Sequence, residues 1–149
     1  DFKNPTFIVD AIINYRKNNI INTTFDFKNI FENYVSQQFQ NKFFARLFQS
    51  VRMEVNNEIN VLKSMLSQVQ EILAPKGRLV VISYHSIEDK IVKSFMKYGN
   101  FSNSQEKDFF GNKKTPFKML TKKPIVPSDM EIKLNNKSRS AKLRICEKL

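Results

Sequence analysis

One stretch in the middle of the chain constrains the fold more than any other. Residues 79–82 form a continuous apolar run, Leu-Val-Val-Ile, directly after a Pro-Lys-Gly turn at 75–77. Such a β-branched run is typical of a strand that is covered on both faces of a sheet. Hydroxyls, the only histidine of the chain and two carboxylates follow within residues 83–89. Because ligands bind just beyond the carboxyl ends of strands in open α/β sheets, we expect this strand end to border a functional site.

The positive charge of the chain is unevenly placed. The formal net charge is +11, and residues 112–149 contain 11 lysines and arginines against three acidic residues. This concentration favours a polyanionic partner, most simply nucleic acid, because each neutralised phosphate releases counterions. The alternative interpretation is a solvated, lysine-rich surface.

The composition also excludes several classes of protein. A single cysteine, Cys146, rules out an internal disulfide framework and a cysteine-based metal site. We expect it to be a buried structural thiol, because free cysteines are commonly buried. No apolar stretch approaches the roughly 20 residues that a membrane span needs, and the chain does not start with a signal-peptide pattern. The sequence therefore predicts a cytoplasmic protein that does not contact a membrane.

The periodicity of apolar residues predicts four helices, followed by β-α-β-α-β. The apolar stripes of the four helices span residues 7–15, 27–35, 43–51 and 59–73, with Thr23 or Thr24 as the cap of the second helix and the third beginning at about Lys42. The later elements are a strand at 78–84, a helix with its stripe at 87–96, a loop at 99–115, a strand at 117–126, a short helix at 128–134 and a strand at 141–146.

A glycine-rich turn is missing from this pattern. A nucleotide-binding α/β fold normally opens with a strand and such a turn at a helix N-terminus. The three glycines, Gly77, Gly99 and Gly111, form no cluster of that kind. The chain is therefore expected to correspond to the back half of a sheet protein.

Long motifs in this chain resemble those of a known family. Residues 43–58 resemble the signature helix of the bacterial 16S ribosomal RNA (cytosine-N4)-methyltransferase H family. Residues 73–93 are similar to its central strand and following helix, and residues 120–128 and 135–148 to its C-terminal end. The motifs agree in order and spacing from roughly residue 40 to the end.

The resemblance implies an α/β fold, namely the C-terminal part of a Rossmann-like class I methyltransferase sheet with helices from an inserted helical domain. Residues 1–40 are then the end of the inserted domain, and residues 41–149 are the C-terminal half of the methyltransferase domain. The glycine-rich half that holds S-adenosylmethionine in the family has no counterpart here. We therefore expect weak or absent cofactor binding and no activity by this chain alone.

The resemblance also implies partners. These are the 16S ribosomal RNA of the small ribosomal subunit and the missing N-terminal half of the enzyme, and a homodimer is left open. The alternative function is a non-catalytic, basic RNA-binding or ribosome-associated module, and a purely structural domain is a third hypothesis.

The candidate catalytic residues are His85, Ser83 and Glu88. Methyl transfer to an exocyclic amine requires alignment of the amine and a way for its proton to leave. His85 suits a base or a reader of the nucleobase, and its alternative role is to hold the strand–helix turn. Glu88 and Asp89 also fit the first turn of a helix, where the dipole favours carboxylates. A Ser-His-Asp hydrolase is not favoured, since residues on one turn do not by themselves give triad geometry.

The remaining candidates are polar or basic side chains that we expect to contact RNA. They are Arg52, Asn57, Ser86, Arg139, Ser140, Lys142, Lys122 and Lys123. Arg139 offers a fork for phosphate or guanine, although a salt-bridged turn is its alternative. Ser86 is also a candidate helix cap. Lys113, Lys114 and Lys118 join Lys122 and Lys123 as expected backbone contacts. No residue is assigned to a cofactor or to a metal.

Overall fold

A computed structural model describes residues 2, 4–102, 104, 109–110 and 115–149 of the chain. The expected loop at 99–115 lies only partly within these residues, and Lys113 and Lys114 lie outside them. In chain order the elements are α1 (Pro5–Arg16), α2 (Thr24–Glu32), α3 (Gln37–Val55), α4 (Glu58–Ile72), β1 (Arg78–Ser83), α5 (Ser86–Tyr98), β2 (Phe117–Met119), α6 (Asp129–Leu134), a 3-10 helix (Asn136–Ser140) and β3 (Lys142–Lys148). The predicted order is confirmed, with the 3-10 helix added before the last strand.

The chain forms two compact units, Asp1–Asn56 and Asn57–Leu149. The first unit includes α3, and the expected domain boundary at residue 40 stays a prediction. Phe44 and Leu47 of α3 are buried there against Phe31 of α2. The third helix also begins at Gln37, earlier than Lys42. The assignment of the two units to an inserted domain and a methyltransferase domain stays a prediction.

The second unit contains a three-stranded antiparallel sheet in the order β1-β3-β2. The expected strand at 117–126 is shorter, because β2 ends at Met119. The ladder is interrupted where the amides of Leu120 and Thr121 both donate to the carbonyl of Ile145, a two-against-one arrangement typical of a bulge. Pro124 has no N–H to donate, and pairing returns only as a single bridge at Ile125.

One face of this sheet carries the core of the second unit. The buried cluster consists of Leu66 from α4, Val92, Phe95 and Met96 from α5, Phe117 from β2 and Cys146 from β3. Leu79 and Val81 of β1 pack against the same cluster. The predicted buried thiol is confirmed, and burial raises the pKa of Cys146 to about 11.

The other face of β1 is open, so the prediction of a strand covered on both faces is wrong for the described structure. Val80 and Ile82 alternate with the inward residues and are each 53% exposed. α4 and α5 pack on the inner face, and the two β-branched side chains of the outer face remain in contact with solvent.

Gly99 ends α5 in a left-handed conformation, with φ of 74°. Its amide donates to the carbonyl of Phe95 at 2.7 Å, the arrangement of a glycine C-cap. A Cβ at this position would overlap the ring of Pro116. Gly99 therefore meets both a backbone and a packing constraint.

We expect Gly99→Ala to destabilise the chain by about 2–4 kcal/mol, from left-handed strain together with overpacking against Pro116. The matched control is Lys76→Gly, because Lys76 has a positive φ of 65° and a glycine there relieves strain. The control should leave the free energy of unfolding unchanged or slightly raised. Urea unfolding followed by circular dichroism measures both, and an unchanged midpoint for Gly99→Ala would contradict the cap.

Candidate functional site at the end of β1

Two segments that are distant in sequence meet at one end of the sheet. β1 ends at Ser83, and its register partner is Lys142, the first residue of β3. Tyr84 and His85 connect Ser83 to α5, whereas Arg139 and Ser140 in the 3-10 helix lie just before Lys142. This end of the sheet therefore gathers most of the predicted site residues, namely Ser83, His85, Ser86, Glu88, Arg139, Ser140 and Lys142.

His85 is the N-cap of α5. Its backbone is extended, and its Nδ1 accepts a hydrogen bond from the amide of Ile87 at 3.4 Å. The imidazole is half-buried. One ring nitrogen thus satisfies an amide that the helix itself leaves unpaired.

Glu88 completes a reciprocal cap. Its Oε2 accepts hydrogen bonds from the amides of Tyr84 and His85, both at 3.2 Å. The carboxylate thereby holds the two consecutive backbone amides that lead into α5. The geometry gives Glu88 a positioning role, and its catalytic assignment stays an untested prediction.

The two serines of the turn differ in accessibility. Ser83 points to the inner face and is 5% exposed. Ser86 is exposed at the first position of α5, and the capping role that was its alternative belongs to His85 instead. Ser86 is therefore the more accessible of the two to a partner molecule.

A buried ion pair joins α5 to β3 directly behind the turn. Asp89 accepts hydrogen bonds from Arg144 through both oxygens, at 2.7 Å from Nε and 3.1 Å from Nη2. Lys142 adds a longer contact, with its Nζ 3.5 Å from Oδ2. Asp89 and Arg144 are only 7% and 4% exposed. Such bidentate pairs fix geometry as well as charge.

The environment of Asp89 contains opposing effects on its acidity. Burial, the largest effect, disfavours the carboxylate. The hydrogen bonds and charge of Arg144, followed by those of Lys142, together outweigh burial and lower the pKa of Asp89 below its ordinary value of 3.8. The ion pair is therefore fully formed at neutral pH. Nη1 of Arg144 is buried and has no hydrogen-bond partner among the described residues.

The other predicted RNA contacts lie elsewhere. Arg52 is exposed on α3 in the first unit and has an interaction partner of its own. Asn57 precedes α4 and accepts a hydrogen bond from Asn60 at 2.6 Å. Lys122 and Lys123 are exposed next to β3, on the side opposite β1. These four residues remain predictions as RNA contacts.

The Asp89–Arg144 pair is the part of the site that the sequence reasoning missed. The sequence offers Asp89 as a helix-dipole residue or as a catalytic carboxylate, and it does not single out Arg144. The available signal is an arginine that alternates with apolar residues in a strand, at the position two before a buried cysteine. Alternate positions share a face, so burial of Cys146 implies burial of Arg144 and hence a carboxylate partner.

The start of α5 does not fit the anionic group of a cofactor. At the start of α5, where an anionic ligand would bind amides, the amide of Ile87 already donates to His85, and no glycine allows close approach. No group of three His, Cys, Asp or Glu residues could hold a metal within the described part of the chain. None of the helices in that part is long and apolar enough to span a membrane.

Comparison with known proteins gives a consistent result. The family model described as MraW methylase family matches residues 3–149. Proteins named ribosomal RNA small subunit methyltransferase H are similar along the chain. The one from Flavobacterium johnsoniae is 46% identical over 149 residues, which is 100% of this chain and 49% of that protein. The one from Flavobacterium psychrophilum is 49% identical over 145 residues, 97% of this chain and 50% of that protein. The chain spans about half the length of the curated relatives it matches.

We expect Asp89→Asn to destabilise the chain by about 3 kcal/mol at neutral pH, because Arg144 becomes a buried charge without a carboxylate. The control is Glu147→Gln, which breaks the exposed pair between Arg78 of β1 and Glu147 of β3 and should cost under about 1 kcal/mol. Urea unfolding at several pH values measures both variants.

The pH dependence has a defined sign. Because the pKa of Asp89 is lowered in the folded chain, the ion pair stabilises fully above the ordinary value of 3.8 and is lost as the pH falls through the lowered pKa. The difference between the unsubstituted chain and Asp89→Asn should therefore shrink in acid. A difference that is constant down to low pH would contradict the role of the carboxylate charge.

Proposed function

Because the chain belongs to the MraW methylase family, we propose that it forms the substrate-facing half of an S-adenosylmethionine-dependent enzyme that methylates N4 of a cytidine in 16S ribosomal RNA. The observation that carries the proposal is the convergence of His85 with Arg139, Ser140 and Lys142 at one sheet end. The names of the relatives, which specify a ribosomal RNA methyltransferase, support it.

The polar strand end suits a nucleobase that has been taken out of its stack. A base that undergoes chemistry at an exocyclic amine must enter a pocket, and groups at a strand end can converge on it. We assign His85 to contact with the nucleobase, with Ser86 as an accessible hydroxyl next to it. Arg139, Ser140 and Lys142 contact the phosphates around the base and set its orientation without reading sequence.

The open edge of β1 supports the proposal that a further half is required. Leu143 exchanges two backbone hydrogen bonds with Ile125, both 2.9 Å, on the side of β3 away from β1. In an antiparallel ladder, successive residues turn their backbone groups to alternate sides. Ile82, the register partner of Leu143, and likewise Val80 therefore direct their N–H and C=O groups away from β3. No described strand pairs with that edge.

The exposed side chains of Val80 and Ile82 also support the proposal that a further half is required. An edge strand with free backbone groups and apolar side chains is a template for pairing. We propose that the half of the relatives' length that this chain does not span pairs there and also binds the methyl donor. In this proposal the chain alone is inactive. The two halves together act on ribosomal RNA in the cytoplasm.

The alternative function is a basic RNA-binding module without catalysis, and the charge of residues 112–149 favours it equally. The two functions differ in whether the other half restores methyl transfer. RNA binding by the chain does not discriminate between them.

The decisive experiment combines the chain with the unmatched half of the Flavobacterium johnsoniae relative. We expect calorimetry to detect no tight binding of S-adenosylmethionine to the chain alone. We expect the mixture, or a single-chain fusion, to transfer labelled methyl groups to small ribosomal subunits. Tight cofactor binding by the chain alone would contradict the division of roles. A fusion that folds and binds the cofactor but transfers no methyl group would favour the non-catalytic alternative.

Lys122 and Lys123 provide a separate test of the RNA interface. We expect neutralisation of both to glutamine to weaken binding uniformly and to reduce the slope of log affinity against log salt by about 0.7–0.9 per lysine. The control is Lys76→Gln with Lys93→Gln, since both are exposed and neither was predicted to contact RNA. Filter binding over a salt series measures the slopes. Equal slopes for the two double variants would remove Lys122 and Lys123 from the interface.

A further inference from the structure

We propose that the neutral imidazole of His85 is held as the tautomer with its proton on Nε2, and that it therefore offers the target base a hydrogen-bond donor and not a proton acceptor. The inference rests on the proposed function for its substrate, but the tautomer is a property of this chain alone. The tautomer distinguishes between the two sequence-based roles of His85, a general base or a reader of the nucleobase.

Nδ1 of His85 is occupied by the helix cap. A neutral imidazole has one nitrogen that donates and one that accepts. Nδ1 accepts from the amide of Ile87 at 3.4 Å, so it carries the lone pair and the proton resides on Nε2. The hydrogen bond made by one ring nitrogen thereby sets the state of the other.

Glu88 restrains the backbone of the cap. Glu88 accepts from the amides of Tyr84 and His85 through one oxygen, at 3.2 Å each. These two bonds fix the backbone that carries the imidazole. Rotation of the ring to present Nδ1 outward would leave the Ile87 amide unpaired at the start of α5. The cap therefore opposes the arrangement that a general base at Nδ1 requires.

Nε2 is the ring nitrogen of His85 that the cap does not use. His85 is half-buried, and no described residue accepts from or donates to Nε2. With Nδ1 occupied by the cap, Nε2–H is the polar group of the ring that remains for a partner. Cytosine presents acceptors at its ring nitrogen N3 and its carbonyl oxygen O2, to which an N–H can donate. The proton that the amine loses on methylation then leaves to water, which acts as the acceptor.

The tautomer can be measured directly, because His85 is the only histidine of the chain. Long-range proton–nitrogen correlation spectra of uniformly labelled chain give one imidazole pattern, with a protonated and an unprotonated nitrogen at distinct frequencies. At a pH where the ring is neutral, we expect a single Nε2–H tautomer. A dominant Nδ1–H tautomer, or an equal mixture of the two, would overturn the proposal.

Two variants of Glu88 test the origin of the effect. Glu88→Gln keeps a side-chain oxygen that can accept from the turn, whereas Glu88→Ala removes the acceptor. We expect the first to retain the tautomer and the second to show a mixture, because the turn loses its restraint. A pure Nε2–H tautomer in Glu88→Ala would show that Glu88 does not hold the imidazole, and would overturn that part of the inference.

An activity measurement separates the donor from a base. Serine is a good N-cap, so His85→Ser in the single-chain fusion retains the cap, and its short side chain leaves no donor at the position of Nε2. Loss of a donor predicts about a tenfold rise in KM for the ribosomal subunit with little change in kcat. Loss of a general base predicts a fall in kcat of about 10²–10⁴, and that result would overturn the inference. If the unsubstituted fusion transfers no methyl group, the proposed function fails, and the spectra still decide the tautomer.

Discussion

The second unit depends on the buried contact between Asp89 and Arg144. Neither charge could be buried alone without a large penalty, so α5 and β3 must be brought together in one arrangement. Asp89 lies one residue after Glu88 in the first turn of α5, and Arg144 lies two residues after Lys142 at the start of β3. The pair therefore fixes the distance between the His85 turn and the Arg139–Lys142 segment, and the apolar contacts of Phe95 with Phe117 fill the space behind it. Packing alone would tolerate small shifts of the helix along the sheet, whereas a bidentate pair does not.

The elements of the fold could be predicted from the sequence because their signals are local. Apolar stripes at helical spacing identified the helices, and Thr23 and Ser128 accept from amides three residues on, as capping residues do. The orientation of β3 could not be obtained in the same way. Leu143 and Ile145 alternate with Arg144 and Cys146, and apolarity alone would turn the first pair inward. The structure buries Arg144 and Cys146 instead, since a carboxylate on another element satisfies the arginine. The burial expected for Cys146 is the one local sign of this orientation, whereas the identity of a partner 55 residues away leaves no mark in the local pattern.

The apolar run of β1 shows a different kind of failure. Its composition correctly predicted a strand, and its continuous apolar character indicated two covered faces. The described structure covers one face, so Val80 and Ile82 remain exposed. The apolar sequence of β1 therefore calls for more burial than the described elements provide. Isolated exposed apolar residues are common on protein surfaces, but here they coincide with an unpaired strand edge. That coincidence, together with the half-length match to the relatives, is the basis of the proposal that a further structural half pairs there.

The site residues illustrate why residue type and residue role separate. The cluster of Ser83, His85, Ser86 and Glu88 was found from the sequence because polar groups directly after a buried strand are unusual. Their roles depend on hydrogen bonds at spacings of two to four residues, which sequence reasoning could only offer as alternatives. The structure shows that structural and chemical roles need not compete within one side chain. An imidazole has two nitrogens, and a cap that occupies Nδ1 also orients the ring and determines the proton on Nε2. A serine at the same position would cap the helix equally well, but its short side chain could not also present a donor at the position of Nε2.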